Sequence, residues 1–156
     1  MVEGAKAVLT NFCKEIPPTI FGTERVEYII SKINSISVND KLQIIKLMNH
    51  ILSTMLERHA SDVELGGHAT GGFVWFRVYG DKVRVRDLPE FTHDEAALII
   101  LSLLNQNQLK YIIENRNLDF SYTFFYEGSQ KDVRFRADTY FDLDTLALNM
   151  RAISAV

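Results

Sequence analysis

The chain has 156 residues, 47% hydrophobic and 24% charged, which suits one globular domain or a small domain with a helical arm. The formal net charge of −3 argues against nucleic-acid binding, and the single cysteine, Cys13, excludes an internal disulfide. The sequence contains no run of 18 apolar residues and no signal-peptide pattern at its N-terminus, which predicts a cytoplasmic chain without a membrane span.

Residues 1–58 predict a helical N-terminal extension of three helices. The first has apolar residues at helical spacing and ends at Pro17-Pro18, because proline cannot continue a helix. Thr23 is predicted to cap the second helix. The third has the clearest apolar stripe, formed by Ile44, Leu47, Met48, Ile51, Leu52 and Met55.

Residues 59–156 predict a sheet with covering helices. Short β-branched and aromatic runs at 61–65, 73–79 and 82–86 indicate three strands. A capping box from Thr92 to Glu95 then begins a helix through Leu104, and a second helix follows. Three more strands are predicted at 118–126, 133–141 and 145–153. Because short turns join these strands, we expect antiparallel pairing and an α+β fold with a PAS-like sheet.

The sequence lacks the motifs that bind nucleotides or metals. The phosphate-binding pattern G-x-x-x-x-G-K-[ST] is absent, and no G-x-G-x-x-G follows a predicted strand. The four histidines lack metal-ligand spacing and are predicted to be solvated or capping residues. We therefore predict no catalytic residue, metal site or cofactor in this chain, and no ATP hydrolysis by the chain alone.

Three arginines form the candidate binding set. Arg134 and Arg136 share one face of a predicted strand, and Arg151 lies on the partner strand of the same hairpin. Because each guanidinium group can bind phosphate oxygens bidentately, three converging arginines could form an oxyanion clamp. The alternative is that they form surface salt bridges with Asp138 or Glu127.

Five stretches in the second part of the chain have a characteristic order and spacing. They are ASDVEL (60–65), FRVYGD (76–81), LDFSY (118–122), RFR (134–136) and MRAI (150–153). Through them, this part of the chain resembles the N-terminal domain of the type II/IV secretion-system ATPases. These include pilus-retraction (twitching motility), pilus-assembly and general secretion ATPases.

This resemblance implies a role in a hexameric ring. In the family, the domain sits on a RecA-like motor domain and packs against the motor domain of the neighbouring subunit. Its arginines reach the nucleotide phosphates there, and the family's two arginine motifs fall on Arg136 and Arg151, with Arg134 adjacent. ATP and Mg²⁺ would belong to the full-length ATPase. A pilus or secretion complex at the inner membrane would be a further partner, which predicts a cytoplasmic chain or one peripheral to that membrane.

Three departures from the family qualify this expectation. The motor domain is absent from the sequence, the extension at 1–58 has no counterpart in short-armed retraction ATPases, and an acidic turn at 141–145 replaces a Gly-rich basic hairpin. Two other functions are therefore retained as alternatives. One is a stand-alone adaptor that docks on a secretion machine through its helical arm, and the other is a PAS-like sensor of a small ligand.

Overall fold

The computed structural model describes residues 2–153 as helices packed on one face of a sheet. Within this range the five α-helices are α1 (Val2–Lys14), α2 (Gly22–Ile33), α3 (Val38–Glu57), α4 (His93–Ser102) and α5 (Gln106–Asn115). The strands are β1 (Asp62–Gly66), β2 (Trp75–Val78), β3 (Asp81–Arg84), β4 (Asn117–Tyr126), β5 (Lys131–Asp142) and β6 (Thr145–Ile153). A short 3₁₀ helix, His68–Thr70, lies between β1 and β2.

All six strands belong to one antiparallel sheet in the order β3-β2-β1-β6-β5-β4. The first strand and the last strand therefore pair at the centre of the sheet, and β3 and β4 form its two edges. The predicted α+β class and the predicted order of helices and strands are confirmed. The narrower description of the sheet as PAS-like stays a prediction.

Helix α4 lies at the centre of the core. All its residues from Glu95 to Ser102 are buried, because the helix packs on β1 and β6 and also contacts α1, α2 and α3. An almost uniformly apolar helix of this kind can be stable only when it is covered on all sides. The N-terminal helices supply that cover, so the apolar core is continuous across the predicted boundary between 1–58 and 59–156.

Cys13 contributes to packing rather than to chemistry. It is half-buried on α1, and burial is the main cause that raises the pKa of its thiol to about 12. A thiol with such a pKa is protonated at neutral pH and is a poor nucleophile.

The capping box of α4 is confirmed, whereas the predicted cap of α2 is wrong. The Thr92 hydroxyl accepts a hydrogen bond from the Glu95 N–H at 3.1 Å, and the Glu95 carboxylate accepts one from the Thr92 N–H at 2.9 Å. Helix α2 instead starts at Gly22, whose φ of +61° turns the chain one residue before Thr23. The Thr23 hydroxyl therefore lies within the helix and accepts a hydrogen bond from Arg116 at 2.9 Å.

Substituting these two threonines by alanine is expected to have unequal effects on stability. Thr92→Ala should lower the free energy of unfolding by about 1 kcal/mol, because the start of α4 loses its side-chain cap. Thr23→Ala, the matched control, should change it by less than about 0.5 kcal/mol. Urea denaturation of both variants would measure the difference. Equal losses would contradict the assignment of the cap to Thr92 alone.

Candidate functional site

The sheet has one face toward the helices and one face toward solvent, which we call the open face. Along β5, side chains alternate strictly between the two: Val133, Phe135, Ala137 and Thr139 are buried. The polar side chains between them lie on the open face, and those of β6, β1 and β2 continue it. This alternation follows from the two-residue period of a strand with one face buried.

The three predicted arginines lie on this open face. Arg136 of β5 is directly opposite Arg151 of β6, and Arg134 is opposite Ile153, one step further along the same face. All three arginines are exposed. The shared face predicted from the alternation is therefore observed, and the structure also brings Arg136 and Arg151 into the same row.

Arg151 has a partner that the sequence did not suggest. Its Nε donates to a carboxylate oxygen of Asp62 at 3.0 Å, because β1 pairs with β6 and places the two residues side by side. Asp62 is only 5% exposed, and its other oxygen accepts a hydrogen bond from the Ser61 hydroxyl at 2.6 Å. The alternative for Arg151, a salt bridge with Asp138 or Glu127, is therefore not observed, and its carboxylate partner is Asp62. Asp62 fixes Arg151 through Nε.

Arg134 and Arg136 are not held in this way. Neither guanidinium group forms an ion pair with any residue between positions 2 and 153. The predicted alternative of salt bridges to Asp138 or Glu127 is therefore wrong for them also. Arg77 of β2 is a further cation on the open face, because it lies opposite Asp62 on the other side of β1. The sequence analysis did not select it, although it lies in one of the five stretches that carry the resemblance.

A pair of carboxyl groups lies beside the arginines. Asp119 of β4 is directly opposite Asp138 of β5. Burial, followed by a hydrogen bond with Asp119 and the charge of that residue, raises the pKa of Asp138 to about 6. The Asn117 side-chain amide also donates to Asp138 at 3.2 Å. Like charges placed opposite each other destabilise a sheet, so this pair carries a cost that the folded chain tolerates at neutral pH.

Together these side chains line a groove of about 390 Å³ on the open face. Arg77, Arg136 and Arg151 supply its positive part, and Asp62, Asp119 and Asp138 supply its negative part. The guanidinium groups are planar, permanently charged and exposed, which suits them to bind phosphate oxygens of a partner. Within the groove itself the carboxylates oppose the binding of an anion. The groove therefore has mixed charge, with cations and carboxylates side by side.

The free energy of unfolding should depend on pH because of the interaction between Asp119 and Asp138. Because the pKa of Asp138 is raised in the folded state from 3.8 to about 6, the folded chain binds this proton more tightly than the unfolded chain. The stability that protonated Asp138 contributes is therefore present below about pH 4 and is lost as the pH rises through about 6. Asp138→Asn should raise the free energy of unfolding at pH 7.5 by about 1 kcal/mol, discounted for partial solvent exposure.

Urea denaturation from pH 4 to pH 8 would measure this effect. The control is Asp132→Asn, an exposed position on the same strand and the same face. The Asp138→Asn variant should gain stability relative to wild type only as the pH rises. A gain that is equal at pH 4 and pH 8 would exclude titration of Asp138 as its cause.

A second polar cluster lies at the opposite end of the sheet, and sequence reasoning missed it. His68 and His93 contact each other edge to face, with ring centroids 4.7 Å apart, and His68 Nε2 lies 2.9 Å from Asp144. The hydrogen bond from His68 lowers the pKa of Asp144. These residues line a cleft of about 410 Å³ with the ion pair of Arg25 and Asp94. Within residues 2–153, no group of three or more His, Cys, Asp or Glu side chains is placed so that it could hold a metal ion.

This cluster explains the acidic turn at 141–145. Asp142 accepts a hydrogen bond from the Ala69 N–H at 3.2 Å, and Asp144 binds His68, so both carboxylates hold the 3₁₀ helix against the hairpin. The local sequence patterns used to predict strands and loops gave no indication of these contacts, since 76 residues separate His68 from Asp144 in the chain.

None of the helices in residues 2–153 is sufficiently long and apolar to cross a membrane.

Comparison with known proteins gives a match by structure only. No protein-family model and no curated protein matches the sequence. The fold is similar to that of the pilus retraction motor PilT solved with bound ADP, with a TM-score of 0.57 and 25% identity over 68% of this chain and 29% of that chain. The predicted resemblance to type II/IV secretion ATPases is confirmed, because solved structures of such ATPases have folds similar to that of this chain.

Two further ATPases, both named DotB, have a similar fold. DotB of Legionella pneumophila has a TM-score of 0.55 and 19% identity over 68% of this chain and 28% of its own. DotB of Yersinia pseudotuberculosis has a TM-score of 0.55 and 19% identity over 69% of this chain and 29% of its own. The matched region spans less than a third of each of these ATPases.

Proposed function

We propose that this chain is a regulatory and assembly domain of a hexameric secretion or type IV pilus ATPase. The observation that carries the proposal is the similarity of its fold to PilT, at 25% identity over 68% of the chain. The motor domain of such an ATPase holds ATP and Mg²⁺, and this chain has no phosphate-binding loop of its own. Its contribution would then be to order the ring and to complete a nucleotide site at a subunit boundary.

The arginines of the open face are suited to that contribution. Arg136 has no ion pair among residues 2–153, and Arg151 uses Nε for Asp62, which leaves its terminal nitrogens available for a partner. Guanidinium groups presented across a subunit boundary stabilise the charge that develops on a transferring phosphoryl group. We assign this role to Arg136 and Arg151, with a weaker supporting role for Arg134, against the nucleotide of the neighbouring subunit.

The partners follow from the same proposal. They are the RecA-like motor domains of its own and the neighbouring subunit, and an inner-membrane pilus or secretion complex to which the ring attaches from the cytoplasm. We also propose that the extension at 1–58 is a docking element. Its apolar stripes are buried on the domain, so its exposed polar side would be the part that meets a partner.

Reconstitution with a motor protein would test the proposed function. The chain would be joined to, or mixed with, a RecA-like pilus or secretion motor encoded in the same genome, and native mass spectrometry with ADP and Mg²⁺ would count the subunits. We expect six copies of the chain in each ring and a changed rate of ATP turnover. Rings that assemble and hydrolyse ATP identically with and without the chain would contradict the proposal.

A further inference from the structure

The two edge strands of the sheet differ in how well they are protected. β3 has four residues, three of them charged, which is the usual protection of an exposed edge. β4 has ten residues and a single charged one, Asp119. A long edge strand with little charge is a template for pairing with another strand. The fold therefore leaves one edge available for association.

The register of the sheet shows which backbone groups of β4 face outward. The Phe141 N–H donates to the Arg116 carbonyl at 3.1 Å, which makes these residues a hydrogen-bonded pair just before β4 begins. Because such pairs alternate in an antiparallel ladder, the even-numbered residues of β4 bond to β5, and the odd-numbered ones point their N–H and C=O groups away from it. The outward residues are Asn117, Asp119, Ser121, Thr123 and Phe125, all exposed and without a backbone hydrogen bond to any residue outside β4 in the described chain.

We propose that β4 pairs antiparallel with β4 of a second copy of this chain, with Ser121 at the two-fold axis. In that register Ser121 faces Ser121, Asp119 faces Thr123 and Asn117 faces Phe125 of the second copy. The two strands would exchange about ten backbone hydrogen bonds and form a twelve-stranded sheet from two six-stranded ones. The proposal needs neither Arg136 nor Arg151, and it shares only Arg134 with the proposed function, so the cross-linking test through Ser121 can succeed or fail separately from the turnover test.

The charges of the open face favour this occupant over an unrelated strand. Arg134 lies beside Thr123 on β5, and Asp138 lies beside Asp119. In the paired sheet one row across the junction therefore reads Asp138, Asp119, then Thr123 and Arg134 of the second copy. The like-charged carboxyl pair of one copy meets the arginine of the other, and that arginine has no ion pair among residues 2–153 of its own chain. By symmetry the interaction occurs twice.

The helix-facing side of β4 is also self-complementary. Its side chains are Leu118, Phe120, Tyr122, Phe124 and Tyr126, which are buried or half-buried in the single chain. In the same register Phe120 comes beside Tyr122 of the second copy, and Leu118 beside Phe124. Cross-strand aromatic and aliphatic pairs of this kind stabilise a sheet. The side-chain pairs on both faces of β4 are therefore favourable in the same register.

Cysteine cross-linking of the full 156-residue chain would test the register. In a Cys13→Ser background, Ser121→Cys places two thiols on strands whose Cα atoms would lie about 5.5 Å apart, within the range of a disulfide. Thr123→Cys is the matched control, because its two copies would lie about 14 Å apart along the strands. We expect Ser121→Cys to form a disulfide dimer at least about ten-fold faster than Thr123→Cys on oxidation. Equal rates would overturn the register.

Exchanging the charges at positions 119 and 134, with dimerisation measured by analytical ultracentrifugation, would test whether the partner is a second copy of this chain. Asp119→Lys and Arg134→Glu each place like charges across the junction, so each variant alone should have a dimer dissociation constant raised about ten-fold. An equimolar mixture of the two should restore dimerisation, because the mixed pair has opposite charges at both ends. The melting temperature of each variant would verify its fold.

Two results would overturn the proposal. One is a wild-type chain that stays monomeric at 100-fold the concentration used for cross-linking, which would show that β4 does not pair with a second copy. The other is a mixture of the charge variants that dimerises no better than either alone, which would show that the dimer uses another surface.

Discussion

Replacing Arg136 or Arg151 by alanine is expected to reduce ATP turnover of the assembled ring by roughly 10³–10⁵, the loss that follows removal of an arginine that contacts a transferring phosphoryl group. Arg134→Ala should have a smaller effect, because Arg134 lies one step away from the row that contains the other two. The control is Arg86→Ala, an exposed arginine outside β5 and β6. Steady-state turnover per ring would be measured for all four variants.

The two main variants should differ in stability, which separates a structural from a functional cause. Arg136→Ala should change the free energy of unfolding by less than about 0.5 kcal/mol, since its side chain is exposed. Arg151→Ala should cost about 1–3 kcal/mol, because it leaves the buried carboxylate of Asp62 with the Ser61 hydroxyl as its remaining side-chain partner. Adding Asp62→Asn should restore the stability but not the turnover. A lower melting temperature with full turnover would contradict the functional role of both arginines.

Truncation of the N-terminal extension is expected to unfold the rest of the chain. Five residues of α3 have no exposed surface: Ile44, Met48, Ile51, Leu52 and Met55. Their removal would expose the apolar surface of α4, which itself has no polar side to present to water. We therefore expect residues 59–156 alone to lack a cooperative thermal transition and to aggregate.

A point substitution in α3 tests the same idea without truncation. Ile51→Ala should lower the free energy of unfolding by about 2–5 kcal/mol, because the side chain is fully buried and leaves a cavity. Leu42→Ala is the matched control, since Leu42 is on the same helix and is 49% exposed. Limited proteolysis would report the outcome independently. Digestion of the extension with survival of an intact, folded 59–156 fragment would show that the extension does not belong to the core.

The order of helices and strands could be predicted because its signals are local. Apolar periodicity defined the three N-terminal helices, and the pattern from Thr92 to Glu95 defined the start of α4, since these depend on residues within one or two turns. Strand alternation likewise placed Arg134 and Arg136 on one face. The start of α2 was missed because a glycine with positive φ changed the path of the chain one residue earlier than the threonine signal.

The contacts of the site could not be predicted because they depend on the exact register between paired strands. The Arg151–Asp62 pair requires the register of β1 against β6, and the Asp119–Asp138 pair requires that of β4 against β5. A shift of one residue in either register would move every side chain of that strand to the other face. Helix and strand periodicity contain no information on the register between two strands, whether the partners are 89 residues apart, as Asp62 and Arg151 are, or lie on consecutive strands, as Asp119 and Asp138 do, so the partners emerged only from the structure.

The central pairing of β1 with β6 also constrains how the chain is made. During synthesis the three N-terminal helices and β1 emerge before the other strands, and β1 can pair with β2 early, but it cannot pair with its other neighbour, β6, until that strand has left the ribosome. The Lys6–Glu95 ion pair, 89 residues apart, imposes a similar delay on α1. Until then, α4 lacks the strand β6 on which it packs, and the helices that cover α4 have no complete core to close. Folding of the nascent chain should therefore occur late and in one step, with helper proteins most needed just before residue 153 is exposed.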